Sequence, residues 1–148
     1  MKAPPKDWPR VSPALVYKHA PKAIEWLCQA FDFEVRLKVE GDGGRIEHCE
    51  LTFGESVFML HGERLAGERF GVDMKSPLSV GAVTQSLMVF VDDVDAHCAK
   101  ARAHGAKIVD EPAVHDYGDA YWADRSYGAL DFESHLWWFT QRLRTGAS

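Results

Sequence analysis

The stretch Ser86 to Asp110, SLMVFVDDVDAHCAKARAHGAKIVD, decides the fold. Leu87 to Val91 is an apolar run of strand length. Asp92 offers an N-cap oxygen, and Asp93 and Asp95 put negative charge in the first helical turn. Val94, Cys98 and Ala101 then fall at i, i+4 and i+7, one stripe of a helix. His104 stands in the last turn, and Gly105 suits the left-handed position that ends a helix. Ala106 to Val109 opens the next strand. The unit reads strand, helix, strand.

Outward from this stretch the same order continues. After the strand 106–113, the polar cluster His115, Asp116, Tyr117 and Asp119 reads as a solvated turn. One strand lies within 120–131 and another covers 135–142, ahead of a polar tail. The N-terminal half repeats the pattern. Val11 to Lys18 reads as a strand, with Pro13 favouring its edge or beginning. Pro21 fits a first helical turn, and Ile24, Leu27, Cys28 and Phe31 form an apolar stripe. Strands follow at 33–40, 45–53 and 56–61, separated by Gly41-Asp42-Gly43-Gly44 and Gly54-Glu55. Two copies of strand–helix–strand–strand–strand thus recur about 75 residues apart, alike in pattern rather than identity. Residues 62–84 have no sustained period and read as a connection or a lid.

Bulk properties bound the function. The 148 residues, 46% of them hydrophobic, suffice for one core-forming domain. A net charge of −5 without any basic run argues against nucleic acid as a partner. No apolar run approaches the ~18 residues of a membrane span. The opening MKAPPKDWPR lacks the apolar segment of a secretory signal. Cys28, Cys49 and Cys98 are odd in number and far apart, as expected of free thiols in a reducing cytoplasm. No serine-elbow or nucleotide-binding glycine motif is present.

Three separated stretches resemble the vicinal oxygen chelate superfamily of glyoxalases, bleomycin-resistance proteins and dioxygenases. VDDVDAHCAKARAHGAKIVDEP (91–112) resembles its second-module helix and following strand. ADRSYGALDFESHLWWF (123–139) resembles its common ending, departing at Phe132 and Ser134, where Pro and Gly are usual. EHCELTFGESVFML (47–60) resembles the branch called PhnB-like or glyoxalase-like. The resemblance implies an α+β fold: two βαβββ modules, at about 11–61 and 85–142, forming a curved mixed sheet with a concave cavity and helices on the convex side. It also implies pairing into a homodimer.

Metal-dependent members carry His, Gln or Glu near the start of each first strand and Glu in each last strand. Here those positions fall on Ser12, Met59, Ser86 and Trp138, which are not competent ligands for such a metal. The expectation is therefore a site without metal or cofactor that binds a small organic molecule. The alternative is a lyase, isomerase or dioxygenase with relocated ligands around His48, Glu50 and His61, or a metal-free acid–base enzyme using His48 and Glu50.

Alternation assigns the lining of the cavity. Cys49, Leu51 and Phe53 suit the helix side, so His48 and Glu50 point towards the concavity, about 7 Å apart along the strand. They could act as an acid–base pair, orient a ligand, or satisfy each other. Arg125 could clamp an anion or pair with Asp124 or Asp131; Tyr127 shares its face. Trp137 and Trp138 face opposite ways, one towards the core and the other available as an aromatic wall. The expected ligand site is His48, Glu50, Arg125, Tyr127 and Trp138.

Overall fold

A computed structural model describes residues 1–68 and 71–146. The chain divides into two compact units, Met1–Ala82 and Val83–Ser148. Unit one contains β1 (Ala14–Tyr17), α1 (Ala20–Phe31), β2 (Glu34–Glu40), β3 (Ile46–Phe53), β4 (Ser56–Gly62) and a single helical turn, α2 (Pro77–Val80). Unit two contains β5 (Ser86–Phe90), α3 (Val94–Ala103), β6 (Lys107–Asp116), β7 (Ala123–Leu130) and β8 (Leu136–Arg144). Each unit holds one four-stranded sheet, ordered β1-β4-β3-β2 and β5-β8-β7-β6. The first strand of each pairs parallel with the last, and the remaining pairs are antiparallel. This is the expected α+β architecture of two βαβββ modules.

Helix α1 buries Ala23, Ile24, Leu27, Ala30 and Phe31, one continuous stripe. The sheet side it covers carries Leu15, Cys49, Leu51, Phe58 and Leu60, all buried. The register sets Cys49 opposite Leu60 and Leu51 opposite Phe58, so these residues share one face. Phe31, Phe33, Phe53 and Phe58 extend this core as a chain of edge-on and stacked rings. Asp32, at φ 61°, ends the helix in the left-handed conformation.

In unit two the N-cap is Asp93, one residue later than the sequence suggests; its Oδ1 accepts from the Ala96 amide at 3.0 Å. Gly105 adopts φ 91°, as its position predicts. Helix α3 packs on Tyr127 and Phe139. His97 meets the Tyr127 hydroxyl at 2.7 Å and lies 4.2 Å, ring to ring, from Phe139. Strand β6 runs on through Pro112 to Asp116, so His115 and Asp116 belong to a strand rather than a turn. Being an edge strand, β6 tolerates the missing proline N–H, and its pairing shifts register around that point. Strand β8 likewise extends to Arg144, into the expected tail.

The segment 62–84 is more ordered than its composition suggests. Gly62 completes β4, and Arg64 bridges Met74 in antiparallel fashion. Ser76 caps α2, and its own amide donates to Glu63 Oε1 at 2.9 Å. Arg64 donates to Glu47, and Arg45 to Glu68 at 2.6 Å, fastening the described part of the segment to β3. Positions 69 and 70 of that connection, and 147 and 148 of the tail, lie outside the described residues.

The turn between β7 and β8 is organised by Asp131, which is buried. Its Oδ1 accepts from the amides of Glu133 and His135, each at 3.0 Å, and its Oδ2 from Trp137 Nε1 at 2.9 Å. The turn therefore forms although Phe132 and Ser134 replace the usual Pro and Gly; Ser134 takes the left-handed conformation at φ 72°. Asp131→Ala should destabilise the protein by about 1–3 kcal/mol in urea unfolding, because buried donors lose their acceptor. Asp131→Asn, which keeps one acceptor oxygen, should lose less.

Candidate functional site

His48 and Glu50 lie on the helix-free face of the first sheet, as alternation expects. Met59 is opposite Glu50 and Val39 opposite His48. Their side chains are joined: His48 Nε2 stands 3.0 Å from Glu50 Oε1. The other carboxylate oxygen accepts from Arg36 Nε at 2.7 Å. Arg36 also donates to the Asp7 carbonyl at 2.8 Å, and its guanidinium lies 4.5 Å from the centre of the Trp8 ring. The N-terminal arm thus caps the arginine that holds the glutamate. Asp7, Trp8 and Arg36 line a cleft of about 410 Å³ with Thr52, Gly54 and Val57.

Burial pushes the Glu50 carboxyl up, but the hydrogen bonds from His48 and Arg36 and their charges outweigh it, so its pKa lies below the usual range. Glu50 is therefore an ionised acceptor at neutral pH, receiving from Arg36 Nε on one oxygen and facing His48 Nε2 on the other. His61, on the same face by alternation, is turned to its own chain, with Nδ1 2.7 Å from the Gly62 carbonyl.

Unit two departs from expectation. Arg125 and Tyr127 lie on the covered side of β7, not the open side. Arg125 forms a two-pronged pair with Asp95 of α3, both bonds at 2.8 Å, rather than pairing with Asp124 or Asp131. Tyr127 is fully buried against His97, and burial pushes its phenol pKa up, so it stays neutral. Alternation sorts β7 into two sets correctly, but the polar ends of Arg125 and Tyr127 reach helix partners rather than an open cavity. Of the three residues expected here, Trp138 is on the open face. Its ring lies over Gly128, where an added Cβ would come within 2.7 Å of it. Trp137, on the other face, is the core tryptophan.

The same face carries a further charged group outside the expected site. Arg142 is four residues beyond Trp138 on β8 and opposite Asp124. Its Nε donates to Asp124 Oδ1 at 2.5 Å. Its guanidinium lies 5.3 Å from the Phe90 ring centre and 5.4 Å from that of Trp122. Arg142 is the last residue of the expected strand 135–142, and the period-2 pattern carried from Trp138 through residue 140 reaches it.

The metal positions implied by the resemblance do not fit a divalent ion. Met59 and Trp138 present a thioether and an indole, and Ser12 and Ser86 only hydroxyls. Among the described residues no three His, Cys, Asp or Glu side chains are grouped as a metal site requires, so His48, Glu50 and His61 do not form a relocated one. The thiols are not activated: burial raises the pKa of Cys28 and Cys98, and pushes that of Cys49 up to about 11.

Two βαβββ units, each with one open sheet face, define a glyoxalase-type scaffold. Residues 11–139 match the family described as the Glyoxalase/Bleomycin resistance protein/Dioxygenase superfamily, and the chain belongs to it. An uncharacterized protein of Mycobacterium tuberculosis is 29% identical over 136 residues, covering 92% of this chain and 76% of that one. The crystal structure of TioX from Micromonospora sp. ML1 is similar at TM-score 0.68 and 29% identity, covering 91% of this chain and all of that one. A glyoxalase-related enzyme from Fulvimarina pelagi shares the fold at TM-score 0.67 and 13% identity, over 89% and 87% of the two chains.

The Glu50 cluster carries a pH signature. Its carboxyl is depressed in the folded state, so its contribution to stability is present above the unfolded value near 4.5 and is lost as pH falls through the folded value. Urea unfolding from pH 7 to pH 3 should show stability falling below about 4.5. Glu50→Gln should flatten that part of the profile.

Proposed function

We propose that this protein binds a small organic molecule on the helix-free sheet faces, without a metal or cofactor. The observation that carries the reading is Trp138, laid across Gly128 beside Met88 and Phe90, which are 57% and 50% exposed. Such an apolar surface next to ionic groups is the composition of a ligand site. The stretch 47–60 supports placing the chain in the PhnB-like, glyoxalase-like branch. Three free cysteines favour a cytoplasmic setting.

A second reading rests on the Arg36–Glu50–His48 chain. A carboxylate that orients an imidazole by a hydrogen bond to one ring nitrogen is a general acid–base arrangement. Here the bound molecule would be converted rather than held.

A set of small aromatic and aliphatic acids, screened by amide chemical shifts, tests the first reading. Binders should shift residues around Trp138 and Met88, or around His48, and should be recovered unchanged. Turnover would favour the second reading, and shifts confined to the helix-covered faces would remove both. Zinc, nickel, iron or manganese added to the protein should leave its melting temperature unchanged; a saturable rise would overturn the metal-free reading.

We also propose that the chain forms a homodimer. Each sheet ends in two edge strands, β1 and β2 or β5 and β6, and free edges need cover. Sedimentation at high concentration should show twice the 16.6 kDa chain mass; monomer alone would refute this.

A further inference from the structure

The geometry points to Arg142 as the receptor for the carboxylate of a flat, monoanionic ligand, an inference that rests on the open-face binding reading above. The guanidinium is held in place through one edge only: Nε donates to Asp124, and the rings of Phe90 and Trp122 stand within 5.4 Å. Among the described residues, Nη1 and Nη2 have no protein partner. Two adjacent N–H donors on a fixed plane form the fork that a carboxylate meets with two parallel bonds. By contrast, Arg125 and Arg144 spend a terminal nitrogen on Asp95 and Asp116.

The surroundings specify the rest of the ligand. Arg142 borders a cleft of about 340 Å³ with Phe90, Val91, Asp92 and Gln141, near the lower end of small-ligand sites. Phe90 and Trp122 are 50% and 40% exposed, and Met88 stands two residues before Phe90 on the same face of β5. These are stacking surfaces for an aromatic or other flat apolar body. Asp124 and Asp92 are the carboxylates near the fork. Asp124 and Asp92 repel any anion, so attraction comes from the short-range fork and not from net charge, and each added charge on the ligand raises the cost. That selects a carboxylate over a phosphate dianion. Asp124 is mostly buried and engaged at Nε, which leaves the outer edge of the guanidinium for the ligand.

The test uses the full chain with 2-naphthoate and its neutral counterpart 2-naphthamide, titrated by calorimetry and by amide shifts. Wild type should bind the acid about 10- to 100-fold more tightly than the amide, the worth of charge-assisted hydrogen bonds. Arg142→Gln should abolish that preference while leaving amide binding in place. Arg142→Lys, which keeps the charge without the fork, should retain only part of it and serves if the glutamine variant does not fold. Equal affinity of wild type for both compounds, or an unchanged preference in Arg142→Gln, would overturn the assignment while leaving open-face binding intact. Failure of both compounds to bind would overturn the open-face reading and the assignment with it.

Discussion

The hydrogen bond between His97 and Tyr127 decides what the second sheet can do. It fixes α3 against one side of β7, and Arg125 with Asp95 repeats the attachment one turn of the pleat away. Because neighbouring side chains alternate, every other assignment follows. Tyr127, Ala129, Trp137 and Phe139 are covered, while Asp124, Gly128, Trp138 and Arg142 are left on the open side. A one-residue slip would exchange the two sets, putting Trp138 in the core and Tyr127 outside. In unit one α1 does the same work by apolar packing, and the consequence there is that His48 and Glu50 fall on the helix-free side.

Two buried carboxylates show how burial separates structural from chemical roles. Asp131 and Glu50 are both 7% exposed, and each needs partners to offset a desolvation cost of several kcal/mol. Asp131 finds them in two backbone amides and an indole, groups that neither titrate nor move independently of the turn. Glu50 finds them in Arg36 and His48, side chains that are themselves partly exposed. A ligand reaching His48 is thereby coupled to a buried charge and, through Arg36, to Trp8 of the N-terminal arm. The Asp131 cluster offers no such route.

Element order and type were legible because each local signal agrees with the next: caps, stripes, hairpin glycines and strand alternation converge on two βαβββ units. The joined pair His48 and Glu50 was legible for the same reason, since both lie on one short alternating strand. What alternation could not supply was which set of β7 the helix covers. Arg125 and Tyr127 look like cavity residues because they are polar, yet their polar atoms serve the helix, and only three-dimensional distance reveals Asp95 and His97 as partners. Arg36 was invisible for a related reason. It belongs to an edge strand whose register shifts between Val35 and Leu37, and its link to Glu50 spans fourteen residues of sequence.

The pair Trp138 and Gly128 bears on how the chain departs from metal-dependent relatives. The resemblance places Trp138 where they carry a carboxylate. A carboxylate there would leave the surface above β7 open, and residue 128 could then carry a side chain. With tryptophan, the ring lies across β7, and a Cβ at position 128 would meet it at 2.7 Å, well inside van der Waals contact. The glycine and the indole therefore fit as a unit. The position that the resemblance assigns to a metal ligand carries a flat apolar surface, on the same strand as Arg142 and next to Met88. On the reading proposed above, stacking and a guanidinium fork would stand where metal-dependent relatives coordinate ligand oxygens, and such a surface would suit a flat organic anion better than a chelating diol or thiol.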